Sequence, residues 1–179
     1  MGILKERFAS KFETVSTEIK EIIKEHGNKK IGEVSLSQVY QGMRGITGLV
    51  TETSLLDSQE GIRFRGYTIP ELQEKLPKAP NGTEPLPEGL LYLMLIGNLP
   101  TAEDVQHVTN VLQRRSHVPS HVFATIEALP ISSHPMTQFV VGIMALQTES
   151  EFAKKYAKGK RKKDYWEATF DDAMILLAR

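Results

Sequence analysis

The chain contains no cysteine. That absence removes a disulfide framework, a thiolate metal site and a cysteine nucleophile together. No apolar run approaches the ~20 residues that a membrane-spanning helix requires. Lysine plus arginine and aspartate plus glutamate both total 22, so formal charge is zero and no overall field favours nucleic acid or an anionic membrane. There is no GxSxG, no phosphate-binding P-loop and no GxGxxG, which leaves the common hydrolase and nucleotide signatures unrepresented. No secretory hydrophobic segment follows Met1, and the opening residues are too few for a typical transit peptide. Gly2 invites N-myristoylation, but Glu6 stands where serine or threonine is needed.

What is present is a globular composition, with 40% hydrophobic and 25% charged residues over 179 positions. A chain of this length suits one domain, or part of a larger one, and could bury roughly 70% of its unfolded surface. Leu4, Phe8, Phe12, Val15, Ile19, Ile22 and Ile23 recur at three- and four-residue steps, the stripe of an amphipathic helix. His26 and Gly27 are expected to close it as a basic last turn and a left-handed cap. Alternation then predicts short strands at Ile31–Leu36, Leu49–Leu56 and Gly61–Gly66, with a hairpin loop at Asp57–Gly61. From Thr68 onward the pattern is helical. Thr68-Ile69-Pro70-Glu71 reads as a capping box, and Glu88–Ile96 as an apolar helix stopped by Gly97. Thr101 caps a helix to about Arg115, and Pro119 starts one that Pro130 ends. Others are expected from Pro135 to Thr148, from Ser150 to Lys158 and from Asp164 to Arg179. The organisation is therefore a helix over residues 1–30, a small β region over 31–67 and a helical part over 68–179.

The helix from Pro135 is apolar on nearly all sides, with Gly142 and Ala145 permitting close approach, so it should lie in a large core or a subunit interface. The last helix stops mid-stripe with neither a glycine cap nor a proline, which reads as a chain that continues.

Arg44 stands between Gly42 and Gly45, where glycines let backbone approach a ligand and a guanidinium can fork onto phosphate oxygens. An exposed turn with a solvated arginine accounts for the same residues. Lys158, Lys160, Arg161, Lys162 and Lys163 form a basic cluster, readable as a solvated loop or a weak nucleic-acid or targeting patch. Arg63 and Arg65 alternate on a predicted strand, where they could clamp a ligand, but a structural ion pair with Glu52 or Glu60 is the expected role. Asp171-Asp172 and Glu149-Ser150-Glu151 read as solvated faces and caps. His26, His107, His117, His121 and His134 lack the carboxylate or thiolate company that a metal or nucleophile site needs. Pro119 separates His117 from His121 and argues against one helix presenting both to a metal. No catalytic constellation is legible.

Gly42-Met43-Arg44-Gly45, Gly61-Ile62-Arg63-Phe64-Arg65-Gly66-Tyr67 and Glu84-Pro85-Leu86-Pro87-Glu88-Gly89-Leu90 follow one another in order. With Gly97-Asn98-Leu99-Pro100-Thr101, His134-Pro135-Met136 and Lys163-Asp164-Tyr165-Trp166-Glu167, they resemble the opening third of a eukaryotic-type citrate synthase. The resemblance runs from about Leu4 to Arg179. It implies a mainly α fold, the N-terminal part of that family's large helical domain with a small antiparallel β region near residues 31–66. It implies a homodimer in the mitochondrial matrix that condenses acetyl-CoA with oxaloacetate and hydrolyses citryl-CoA. The family's catalytic histidines and carboxylate would lie beyond this chain, which would be inactive alone and bind no cofactor covalently. By resemblance Arg44 helps hold coenzyme A. Lys162 aligns with a basic residue that reaches the coenzyme A of the partner subunit. Animal members usually carry arginine there, so a lysine would keep the charge, lose the bidentate fork and bind more weakly. The helices Pro135–Thr148 and Asp164–Arg179 would form the dimer interface.

Two other readings compete. One is a short non-catalytic protein that docks on full-length subunits through its apolar helices. The other is a helical module whose basic loop meets RNA or a membrane, against which zero net charge and a cluster without interleaved aromatics both count.

Overall fold

The computed structural model describes residues 2–179. It divides into two compact units, one up to Gln106 and one from His107.

The first unit opens with α1 (Gly2–His26) and a short α2 (Leu36–Tyr40). A three-stranded antiparallel sheet follows in the order β1 (Ser54–Asp57), β2 (Gly61–Phe64), β3 (Tyr67–Thr68). Then come α3 (Ile69–Lys75) and α4 (Pro87–Ile96), and α5 (Ala102–Gln113) runs across the division. The fold is mainly α with a small sheet, as the sequence pattern predicts.

The capping chemistry is local and works as expected. The Thr68 hydroxyl accepts from the Glu71 amide, and the Glu71 carboxylate accepts from the Thr68 amide at 2.8 Å. Thr101 and Asp104 make the same reciprocal pair at the start of α5, 3.2 and 3.0 Å. Asp57 closes the β1–β2 hairpin by accepting from the amides of Gln59 and Glu60 at 2.7 and 2.9 Å. Gly97 ends α4 in the left-handed region at φ 94°.

Three expectations need correction. Ile31–Leu36 is not a strand: residues 31–35 are irregular and Leu36 begins α2. Ser35 and Gln38 form a capping box, so a helix start interrupts the alternating run. The strand at Leu49–Leu56 forms only from Ser54. Its partner β2 turns away after Phe64 through Arg65 and Gly66, at φ 47° and 87°, leaving residues 49–52 nothing to pair with. Leu49 and Val50 are exposed in consequence. The sheet thus occupies 54–68, not the span from 31. Gly27 is not a left-handed cap, since its φ is not positive. Its lack of a side chain matters because a Cβ there would sit 2.4 Å from the Ile23 carbonyl oxygen.

The core of this unit joins α3 to α4. Leu72, Leu76 and Leu93 are buried, with Phe64, Tyr67, Leu90 and Leu99 packed on them. The predicted stripe of α1 is present, yet only Leu4 is buried, and Ile19, Ile22 and Ile23 stay exposed.

The second unit contains α6 (Ser120–Glu127), α7 (Pro135–Ala145), α8 (Glu151–Ala157) and α9 (Tyr165–Ala178). Single 3₁₀ turns at Leu146–Glu149 and Lys162–Asp164 link them. Gly142 lets α7 approach α6, because a Cβ there would lie 3.0 Å from Ile126 Cδ1. Ala168, Phe170 and Met174 form the buried face of α9.

Leu93 is fully buried and Leu56 is 74% exposed. Leu93→Ala is expected to cost about 2–5 kcal/mol and Leu56→Ala less than about 0.5, read from urea unfolding midpoints.

Candidate functional site

Arg44 lies in the loop that follows α2. Gly42, Met43 and Gly45 all have positive φ, 75°, 62° and 74°, so the chain coils left-handedly around the arginine. The Met43 amide donates to the Gln38 carbonyl at 2.8 Å and the Gln38 side chain donates to the Arg44 carbonyl at 3.4 Å, tying the loop to α2. A Cβ on Gly42 or Gly45 would meet no atom within 4 Å. These glycines therefore answer a backbone requirement, and the space beside them is open. The Arg44 side chain is exposed and its guanidinium has no hydrogen-bond or ion-pair partner among the described residues. An unpaired fork over an open glycine loop suits an anionic ligand.

Lys162 starts the 3₁₀ turn before α9 in the second unit and is exposed. Its neighbours are not equivalent to it. Lys160 pairs with Glu167 at 2.6 Å, Lys155 with Glu167 and Asp171 at 3.7 and 3.9 Å, and Arg161 with Asp164 at 3.5 Å. Among the described residues Lys158, Lys162 and Lys163 have no acidic partner. The basic cluster is thus part structural and part available.

The family profile described as "Citrate synthase, C-terminal domain" matches residues 42–179. The chain belongs to the citrate synthase family. It is 53% identical over 176 residues to "Citrate synthase, mitochondrial" of Saccharomyces cerevisiae, covering 98% of this chain and 37% of that protein. It is 54% identical over 161 residues to "Citrate synthase, mitochondrial" of Daucus carota, covering 90% and 34%. It is also 51% identical over 176 residues to "2-methylcitrate synthase, mitochondrial" of Yarrowia lipolytica, covering 98% and 38%. The chain therefore spans a little over a third of the length of these relatives.

Within this citrate synthase segment the other candidates have structural partners. Arg63 Nη2 donates to Glu60 at 2.9 Å, and Arg65 Nη1 lies 3.7 Å from Glu52, the acidic partners expected of them. Arg65 also donates to the Met94 carbonyl from Nε and Nη2 at 3.2 and 2.7 Å. That carbonyl is in the last turn of α4, where helical acceptors lack partners. The His134 ring accepts from the Met136 amide and caps α7, and His121 Nε2 is 3.0 Å from the Ala145 carbonyl. No group of three or more metal-binding side chains occurs among the described residues.

Asp172 departs from the expectation of a solvated face. Its carboxylate accepts from the Ser150 hydroxyl at 2.6 Å and from the Glu151 and Phe152 amides at 2.7 and 3.0 Å. It is the anionic cap of α8, supplied from α9. No sequence signal foretells it, because donor and acceptor lie about twenty residues apart.

The helix expected to be buried, α7, exposes Met136, Phe139, Val140 and Met144, and α9 exposes Leu176 and Leu177. Of these, Phe139, Leu176 and Leu177 line a groove of about 440 Å³ between α6, α7 and α9, together with Phe123 and Ile143.

Several carboxylates are held below their ordinary values. Backbone hydrogen bonds from Glu60 and Gln59 lower Asp57, those from Thr68 lower Glu71, and the Arg179 guanidinium lowers Glu149. For Asp104, burial pushes the pKa up, but the Thr101 hydrogen bonds and Arg7 outweigh it and the net shift is downward. A carboxylate depressed in the folded state stabilises it above its unfolded pKa and loses that contribution as pH falls through the folded one. The ordinary values are 4.5 for glutamate and 3.8 for aspartate, so melting temperature should hold above pH 4.5 and fall progressively below it. Asp104→Asn should flatten that fall in a thermal scan series from pH 7 to 3.

Proposed function

We propose that this chain is part of a citrate synthase that condenses acetyl-CoA with oxaloacetate and hydrolyses the citryl-CoA formed. The observation that carries the reading is identity of about half the residues to named citrate synthases along 98% of the chain. By the same resemblance its compartment is mitochondrial. The chemistry requires a carboxylate to take the methyl proton of acetyl-CoA, one histidine to stabilise the enol and another to polarise the oxaloacetate carbonyl. Those groups belong to the rest of the polypeptide, and this segment alone is non-catalytic. Its contribution to the site is electrostatic and peripheral. Arg44 holds coenzyme A from its glycine loop, and Lys162 reaches the coenzyme A bound by the partner subunit.

The polypeptide captured from its source cells is expected to release thiol from acetyl-CoA only when oxaloacetate is present. Identities of 53% and 51% to a citrate and a 2-methylcitrate synthase are too close to separate their acyl donors, so propionyl-CoA belongs in the same assay. Arg44→Ala should weaken coenzyme A binding roughly tenfold, and Lys162→Ala should weaken it less. Unchanged affinity in both variants would remove these residues from the site, and absence of condensation would remove the activity.

The exposed faces of α7 and α9 are the part of the segment that a second subunit covers. Light scattering of the isolated chain should therefore report self-association or precipitation at micromolar concentration, relieved by Phe139→Glu. A well-behaved monomer would count against a homodimer built on these helices.

A further inference from the structure

The loop that presents Lys162 is shaped by two devices that the proposed reading does not use. Gly159, at φ 74°, ends α8 in a Schellman motif: the Gly159 amide donates to the Tyr156 carbonyl at 2.9 Å and the Lys160 amide to the Lys155 carbonyl at 3.2 Å. The motif reverses the chain and sends the Lys160 side chain to α9, where its ammonium donates to Glu167 at 2.6 Å. Lys155, on the last turn of α8, reaches the same carboxylate at 3.7 Å and Asp171 at 3.9 Å. Glu167 therefore draws two cations onto α9, one from the helix and one from the loop. Both lysines are half-buried, so the pairing is less screened than a surface ion pair. Arg161 leads directly into the turn, where its carbonyl accepts from the Asp164 amide at 2.9 Å. Lys162 is the next residue and remains unpaired among the described residues.

We propose that Glu167 is the positioning residue for Lys162, holding the 158–163 loop against α9 so that one cation of the cluster projects toward coenzyme A. This rests on the reading of Lys162 given above. Physically, Glu167 sorts the cluster. It takes Lys160 and Lys155 as structural partners, and without it Lys160 would stand as an unneutralised like charge two residues from Lys162 and spread the loop. A preorganised cation binds phosphate with less ordering cost than one on a mobile loop.

The test is a double-mutant cycle on coenzyme A affinity in the natural polypeptide, with Glu167→Gln, Lys162→Ala and the pair, measured by calorimetry. Glu167→Gln is expected to weaken binding about three- to tenfold, and to do so no further once Lys162 is already alanine. Amide exchange in 159–163 should quicken while that of the buried Phe170 and Met174 segment of α9 does not change. If Lys162→Ala weakens binding and Glu167→Gln does not, or if the two effects add, the positioning role is overturned and the proposed function stands. If Lys162→Ala has no effect, the reading of Lys162 fails and this inference fails with it. Where Glu167→Gln does not fold, Glu167→Asp, which keeps the charge but withdraws it by one methylene, carries the same cycle with a smaller expected loss.

Discussion

The start of α8 holds backbone donors that no helical carbonyl can reach, and the Asp172 carboxylate takes two of them together with the Ser150 hydroxyl. A helix the length of α8, Glu151–Ala157, cannot persist in water on its own propensity. Its existence depends on that cap and on the ring contacts at its other side, where Phe152 meets Tyr165 edge-on at 5.1 Å. The loop after it, and the lysines of the loop, inherit their positions from those contacts. The second unit therefore places its surface charge by means of a half-buried network. This explains why a run of basic residues does not behave as an interchangeable patch.

The first unit solves a different problem. Its sheet is too small to stand alone, with four residue pairs between β1 and β2 and two between β2 and β3. It is stabilised by what it joins. Phe64 and Tyr67 pack on the Leu72–Leu76–Leu93 core, and Arg65, in the turn between them, satisfies a carbonyl at the end of α4. Thr68 is both the last strand residue and the cap of α3. Residues of a single motif, Gly61 to Tyr67, thus act as strand, turn and anchor. Neither arginine of that motif is left over for a ligand, whereas Arg44, in a loop with no such obligations, is.

Apolar surface left uncovered on α1, α7 and α9 is as informative as the surface buried. Ile19, Ile22 and Ile23 on one helix and Phe139, Met144 and Leu177 on the others are side chains that water solvates poorly. A segment that is a little over a third of the length of its relatives has less of its own chain to cover them with. The amphipathic stripes are real.

Features whose cause is local were legible from residues alone. The capping boxes at Thr68 and Thr101, the Asp57 hairpin, the stop at Gly97 and the family motifs all depend on neighbours within a few positions. Misreadings arose where two local signals competed or where a partner ran out. Ser35 and Gln38 start a helix inside an alternating run, and β1 shortens because β2 ends at Phe64. The glycines around Arg44 admit a ligand loop or a solvated turn, and only the family motifs favoured the first; the three positive φ values of its loop and its unpaired guanidinium belong to the tertiary structure. The same division holds for the lysines. Sequence alone determined that a basic cluster exists and which family it belongs to. Tertiary structure decided which members are free, because the carboxylates that claim Lys155 and Lys160 come from another helix, and ion pairing depends on distance in space and not along the chain.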